Sequence, residues 1–157
     1  MKKVYLIVGL FLILGCSNDI EVVPDTYSKL LTGENSKTWM LEGLQYIKKG
    51  KAPESYLLPE DCVFDDYYVF YAGSDKLYHV EEGLSKCDPA DPDIFFEGDW
   101  ALISARATME FTIPVFIPFK LPYTVKELTD KKLIVEIFFS EVGDESYRFI
   151  FSSVRSD

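Results

Sequence analysis

His79 is the only histidine in the chain, which excludes metal centres built on several imidazoles and leaves one side chain of near-neutral pKa as a general base. If Tyr67–Tyr71 and Leu77–Glu82 pair as a hairpin about Ala72-Gly73-Ser74-Asp75-Lys76, His79 shares a face with Phe70, Glu81 and Tyr68. That is a surface or rim position. No Gly-x-Ser-x-Gly elbow, phosphate-binding glycine loop or dinucleotide fingerprint accompanies it. The adjacent acids Asp65-Asp66 and Glu81-Glu82 point to opposite faces of a strand, so neither couple is a ready acid–base pair. The expectation is a chain that is not an enzyme, with no catalytic residue and no cofactor. Asp88, Asp91 and Asp93 offer oxygen ligands of the kind calcium takes, but Pro89 and Pro92 interrupt them and the spacing fits no EF-hand loop. A solvated acidic loop without metal is expected there.

Binding is the other chemistry open to the chain. Phe111-Thr112-Ile113-Pro114-Val115-Phe116-Ile117-Pro118-Phe119-Lys120-Leu121-Pro122 is apolar where a strand connection is usually polar. Its three prolines cannot donate to a ladder, so it is not a regular central strand throughout. Two readings stand: a portal, lid or partner-binding patch, or a kinked edge that folds its aromatics into the molecule's own core. The candidate ligand contacts are Phe116, Ile117 and Phe119 at a mouth, with Trp39 and Trp100 in an interior.

The N-terminus is processing information. Lys2 and Lys3 precede an uncharged apolar run, Val4 to Leu14, too short to span a bilayer core of about 30 Å as a helix. The run ends in Ile13-Leu14-Gly15-Cys16, which resembles the bacterial lipobox; the resemblance implies cleavage before Cys16 and lipidation of it. Several acyl chains, at about 0.8 kcal/mol per buried CH₂, make a durable anchor. Ser17 is not the aspartate that marks inner-membrane retention, so the expected address is the outer membrane of a Gram-negative bacterium, lipid-anchored and facing either the periplasm or the outside. Of the three cysteines, that leaves Cys62 and Cys87 as an even pair in an oxidising compartment. The hairpin about Ala72–Lys76 places them opposite one another near its open end, at a spacing a disulfide accepts.

The net charge of −10 becomes more negative by two when Lys2 and Lys3 leave with the leader. Such a surface is repelled by phosphate backbones, so no nucleic-acid partner is expected. Lys48, Lys49 and Lys51 form the one basic cluster and read as a solvated loop.

These residues are positioned by strands. Asp25 caps a short helix through Leu31, closed by Gly33. Beyond it the period is two: Thr38–Ile47, Tyr67–Tyr71, Lys76–Glu82, Glu97–Ser104, Ala107–Ile113, Pro122–Leu128, Leu133–Phe139 and Ser146–Val154 are eight candidate strands, dense in aromatic and β-branched residues. Leu133, Val135, Ile137 and Phe139 share one face, as do Tyr147, Phe149 and Phe151. Short connections imply an all-β antiparallel meander, and closure into a barrel removes its edges. The expected organisation is a leader over 1–15, a lipidated tether and short helix over 16–33, and a barrel over 34–157.

The pattern resembles the lipocalin-like domain of bacterial lipoproteins. The likeness is carried by Leu30-Leu31-Thr32-Gly33, Thr38-Trp39-Met40-Leu41, Asp61-Cys62, Asp65-Asp66, Tyr67 to Phe70, Cys87, Gly98-Asp99-Trp100-Ala101-Leu102, Pro122 to Leu128 and Lys132 to Val135. Lys37 stands where eukaryotic lipocalins place a glycine two residues before the first-strand tryptophan. The resemblance implies an envelope lipoprotein whose barrel binds a small apolar ligand or a protein partner; the alternative is a structural, interaction or inhibitor lipoprotein with a solid core.

Overall fold

Alternation of apolar and polar side chains becomes strand pairing over most of the chain. The computed structural model describes residues 26–56, 61–139 and 144–156. The leader, Cys16, the tether and the Asp25 cap lie outside the described residues. Helix α1 (Thr26–Thr32) is followed by β1 (Ser36–Lys48), β2 (Glu54–Ser55), β3 (Tyr67–Tyr71), β4 (Leu77–Glu81), β5 (Ile94–Asp99), β6 (Ala101–Ile103), β7 (Thr108–Ile113), β8 (Ile117–Leu128), β9 (Lys132–Phe138) and β10 (Glu145–Ser156). The strand order is β5-β4-β3-β1-β10-β9-β8-β7-β6, with β2 added beside β1. The expected all-β meander barrel is thus what forms, with nine strands around it rather than eight.

The count differs at one residue. Trp100 leaves the ladder, donating its backbone N–H to the Lys76 carbonyl at 2.8 Å, and splits the expected strand 97–104 into β5 and β6. These two pieces stand at opposite ends of the sheet order, yet they follow one another in the chain. One length of backbone therefore pairs β4 on one side and β7 on the other, and so nearly closes the cylinder.

Closure is incomplete above β6, which reaches only Thr108–Glu110 of β7. Here a side chain takes the place of a strand: the Tyr78 hydroxyl donates to the Thr112 carbonyl at 2.8 Å and accepts the Thr112 N–H at 2.9 Å. A Cβ at Gly98 would lie 2.9 Å from the Phe96 ring and 3.1 Å from that of Tyr78. Glycine is required there to let the two rings line the seam. Lys120 of β8 pairs with Asp99 of β5, and so ties the seam's two sides together.

The interior is filled. Trp39, Tyr68, Phe70, Tyr78, Trp100, Met109, Phe111, Tyr123, Phe149 and Phe151 are each 2% exposed or less. Phe111 is the hub, its ring centroid 5.0 Å from Tyr123, 5.8 Å from Phe70, 6.0 Å from Tyr78 and 6.4 Å from Phe151. Edge-on and tilted contacts of this kind are favourable beyond the area they bury.

Helix α1 packs against the end where β1 begins. Gly33, with φ +66°, turns the chain out of it and returns its N–H to the Lys29 carbonyl at 2.8 Å. Trp39 Nε1 donates to the Leu31 carbonyl at 2.8 Å. Lys37, where lipocalins carry glycine, is 2% exposed, and its Nζ donates to the carbonyls of Leu30 at 3.0 Å and Asp130 at 2.6 Å while lying 4.7 Å from the Trp39 ring centroid. A cation at a helix C-terminus satisfies carbonyls the helix leaves free.

Two expectations are corrected. Strand β8 begins at Ile117, not Pro122, and runs through Pro118 and Pro122. Its pairing with β9 begins only at Thr124, so the proline-bearing half is bonded on the β7 side alone, and edge positions tolerate proline. The β3–β4 hairpin pairs Val69 with His79 and Phe70 with Tyr78, one residue from the expected register. Lys76, at φ +50°, takes up the difference in the turn. His79 consequently faces outward with Glu81, while Tyr68 and Phe70 face the core; it does not share their side.

Candidate functional site

The five candidate contacts do not meet. Trp39 and Trp100 are core residues, 0% and 2% exposed. Phe116 and Ile117 reach the end of the barrel opposite α1, where the Ile113–Ile117 turn closes with Phe116 N–H on the Ile113 carbonyl at 3.0 Å. Phe116 folds inward, its ring centroid 4.9 Å from Phe149, 5.1 Å from Tyr147 and 6.3 Å from Phe139. Phe119 stays out, 60% exposed. The apolar segment is thus divided between the two readings: Phe111, Ile113 and Phe116 complete the core, and Phe119 remains on the rim.

A cleft of about 290 Å³ at that mouth is lined by Phe116, Ile117, Phe139, Glu145 and Tyr147. Its carboxylate is engaged, since Lys48 Nζ lies 2.9 Å from Glu145 Oε1. The hydrogen bond from the Tyr46 hydroxyl, with that from Lys48, holds the Glu145 carboxyl below its usual range, and the same contact pushes the Tyr46 phenol up to about 12. Lys49 pairs with Asp144 at 3.2 Å. The basic cluster is therefore largely neutralised, and the mouth is an aromatic surface without surplus charge.

Cys62 and Cys87 form a disulfide with Cα atoms 5.4 Å apart, beyond the paired part of the β3–β4 hairpin. Beside it lies an acidic knot. Asp65 and Asp66 precede β3 and hold the loop after β4: Ser85 N–H donates to Asp65 Oδ2 at 2.8 Å, and Gly83 N–H to Asp66 Oδ1 at 3.3 Å. A Cβ at Gly83 would fall 2.3 Å from Asp65 Cγ, so only glycine permits this approach. Asp66 is 2% exposed. Burial raises its carboxyl to about 7, with Glu82 and Asp65 adding to the shift and the Gly83 N–H opposing it. The loop acids beyond have partners of their own: Asp93 receives Lys86 at 2.8 Å, and Asp88 Oδ1 accepts the Ala90 N–H at 2.9 Å. Among the described residues no three His, Cys, Asp or Glu side chains converge in a way that could hold a metal ion.

The outer wall carries a second polar group that the slipped register concealed. Glu81 Oε1 lies 2.8 Å from His79 Nε2, and the Tyr71 hydroxyl 3.2 Å from Nδ1. A carboxylate only accepts, so Nε2 carries a proton, and in the neutral ring Nδ1 accepts from Tyr71. The order Glu–His–hydroxyl is that of an activated nucleophile. Burial and the charges of Glu81 and Glu97, however, push the Tyr71 phenol up, with Arg155 opposing. The shift favours the protonated hydroxyl. Leu77 and Glu81 alternating with Tyr78 and Val80 is the sequence signal that places His79 outside.

Compared with protein-family models the chain matches none, and no curated protein matches it.

Proposed function

We propose that this chain is a lipid-anchored, non-enzymatic binding protein of the bacterial envelope, tethered through Cys16, and that it works through the rim and outer wall of a lipocalin-like barrel rather than through an interior cavity. What carries this reading is the filled interior: ten large side chains at 2% exposure or less leave the barrel packed by its own aromatics. Helix α1 lies at the end from which the tether departs, and the Phe116 mouth lies at the other, so an anchored molecule turns its aromatic rim away from the bilayer. Phe119 and Phe138, 60% and 58% exposed, are the apolar side chains offered there.

Labelled palmitate given to cells tests the anchor: the label enters the full chain and is lost with Cys16→Ser. Tryptophan fluorescence against fatty acids, retinoid-like molecules and haem tests the working surface. No saturable change is expected, because Trp39 and Trp100 are enclosed by protein. A stoichiometric response from any of them restores an interior ligand. A second reading has the 290 Å³ mouth cleft holding one small apolar group, since aromatic walls with a single polar edge are usual in small-ligand pockets. Perturbation confined to Phe116, Phe139 and Tyr147 distinguishes it.

A further inference from the structure

The outer faces of β3, β4 and β5 form a cleft of about 540 Å³ that the rim does not share, with Tyr71, Leu77, His79, Ile94 and Glu97 among its lining residues. The register arranges it in rows. Val69, His79 and Glu97 lie side by side across the three strands, Leu77 stands opposite Asp99, and Glu81 opposite Ile94. Tyr71, Leu77 and Ile94 are 38%, 51% and 43% exposed. Large apolar side chains gathered on one patch of a sheet mark a surface that is covered in use.

Charge decides what covers it. The cleft holds Asp75, Lys76 and Glu97, and its margin holds Glu81 and Asp99. Lys76 leans over the Trp100 ring at 5.3 Å, Asp99 takes Lys120, and Glu81 takes His79. Glu97 is exposed and has no hydrogen bond or ion pair among the described residues. With the ring neutral, the Tyr71 hydroxyl donates a hydrogen bond to His79 Nδ1 and keeps lone pairs free to accept. The wall is therefore rich in acceptors: Asp75 takes only the Ser74 hydroxyl, Glu81 the His79 ring, and Glu97 has no partner among the described residues, with Arg155 near enough to act on Tyr71. The chain's own tether does not suit it: Cys16–Asp25 contains Asp19, Glu21 and Asp25 and no base.

We propose that this cleft receives an arginine of a partner protein, carried on an otherwise apolar segment, with the guanidinium on Glu97 and against the Tyr71 ring and the flanking residues on Leu77 and Ile94. A planar guanidinium forks onto a carboxylate and stacks on an aromatic face, which a lysine ammonium does less well. The inference stands on the cleft alone and holds whether or not the rim binds a ligand.

The test is amide NMR on the purified full chain in detergent, titrated with a capped leucine–arginine–leucine tripeptide and with the same peptide carrying citrulline, the neutral isostere of arginine. Shifts at Leu77, His79 and Glu97 are expected. Citrulline should weaken binding about tenfold, and so should Glu97→Gln, which touches no folded-state partner and should leave the melting temperature unchanged. Equal affinity for the two peptides, an unchanged affinity in Glu97→Gln, shifts gathered on Phe116 and Tyr147, or no binding at millimolar peptide would each overturn the proposal.

Discussion

Two tyrosines of the same core give opposite answers to the same substitution. Tyr78→Phe removes the hydroxyl that both donates to and accepts from Thr112. Thr112 is 6% exposed, and its N–H and C=O are left in the seam without that partner. Each stranded backbone group costs about 1–3 kcal/mol, and the open side of the seam admits some water, so a net loss of about 2–3 kcal/mol is expected. For a domain of this size that lowers the melting temperature by roughly 4–12 °C. Tyr123→Phe removes a hydroxyl that is equally buried but has no hydrogen-bond partner. It should change stability by no more than about 0.5 kcal/mol, or raise it. Urea unfolding of both variants, with equal slopes to certify a common unfolded state, makes the comparison. If the two substitutions cost the same, the phenol does not close the seam and the account of the barrel's incomplete edge is wrong.

Lys37→Met keeps the bulk of a fully buried side chain but strips donors from Leu30 and Asp130; about 2–4 kcal/mol of stability should be lost, and protease should cut at α1 before the barrel opens. Intact α1 under those conditions would show that Trp39 alone holds the helix. Asp66 makes stability depend on pH in the sense opposite to a salt-bridged acid. Its folded-state value of about 7 lies above its ordinary 3.8, so the folded chain binds the extra proton between those limits. The contribution is full below about pH 4 and lost as pH rises through about 7. Asp66→Asn should abolish that component and stabilise the chain at pH 8; parallel pH profiles for the two proteins would dismiss it. Cys62→Ser with Cys87→Ser opens a loop of sequence separation 25 and should cost about 3 kcal/mol by urea unfolding. An unchanged midpoint would mean that the acidic knot at Gly83 closes the loop unaided.

The strands were legible wherever one face is buried and the other wet, because a two-residue period leaves little choice: Tyr67–Tyr71 has the expected limits, and β9 and β10 differ by a residue or two at their ends. What escaped was set by backbone geometry that composition does not encode. A left-handed Lys76 shifted the hairpin by one residue, and a one-residue shift turns every side chain to the other face. His79 moved with it, and the outer cleft was hidden for that reason. Proline at 118 argued against a regular strand ahead of Pro122, whereas a half-paired strand admits it. The cysteine pair was readable from parity and from the turn between them. The Tyr78 seam was not, since it depends on where β6 stops.

Strands β1 and β10 are neighbours, with Lys37 opposite Ser156, so the polypeptide enters and leaves by the same rim. A reporter or affinity handle joined after Asp157 would hang beside the end that carries helix α1, leaving the far rim unobstructed. Joining the two ends by a short linker and cutting the Ile113–Ile117 turn would give a rewired chain with every ladder retained.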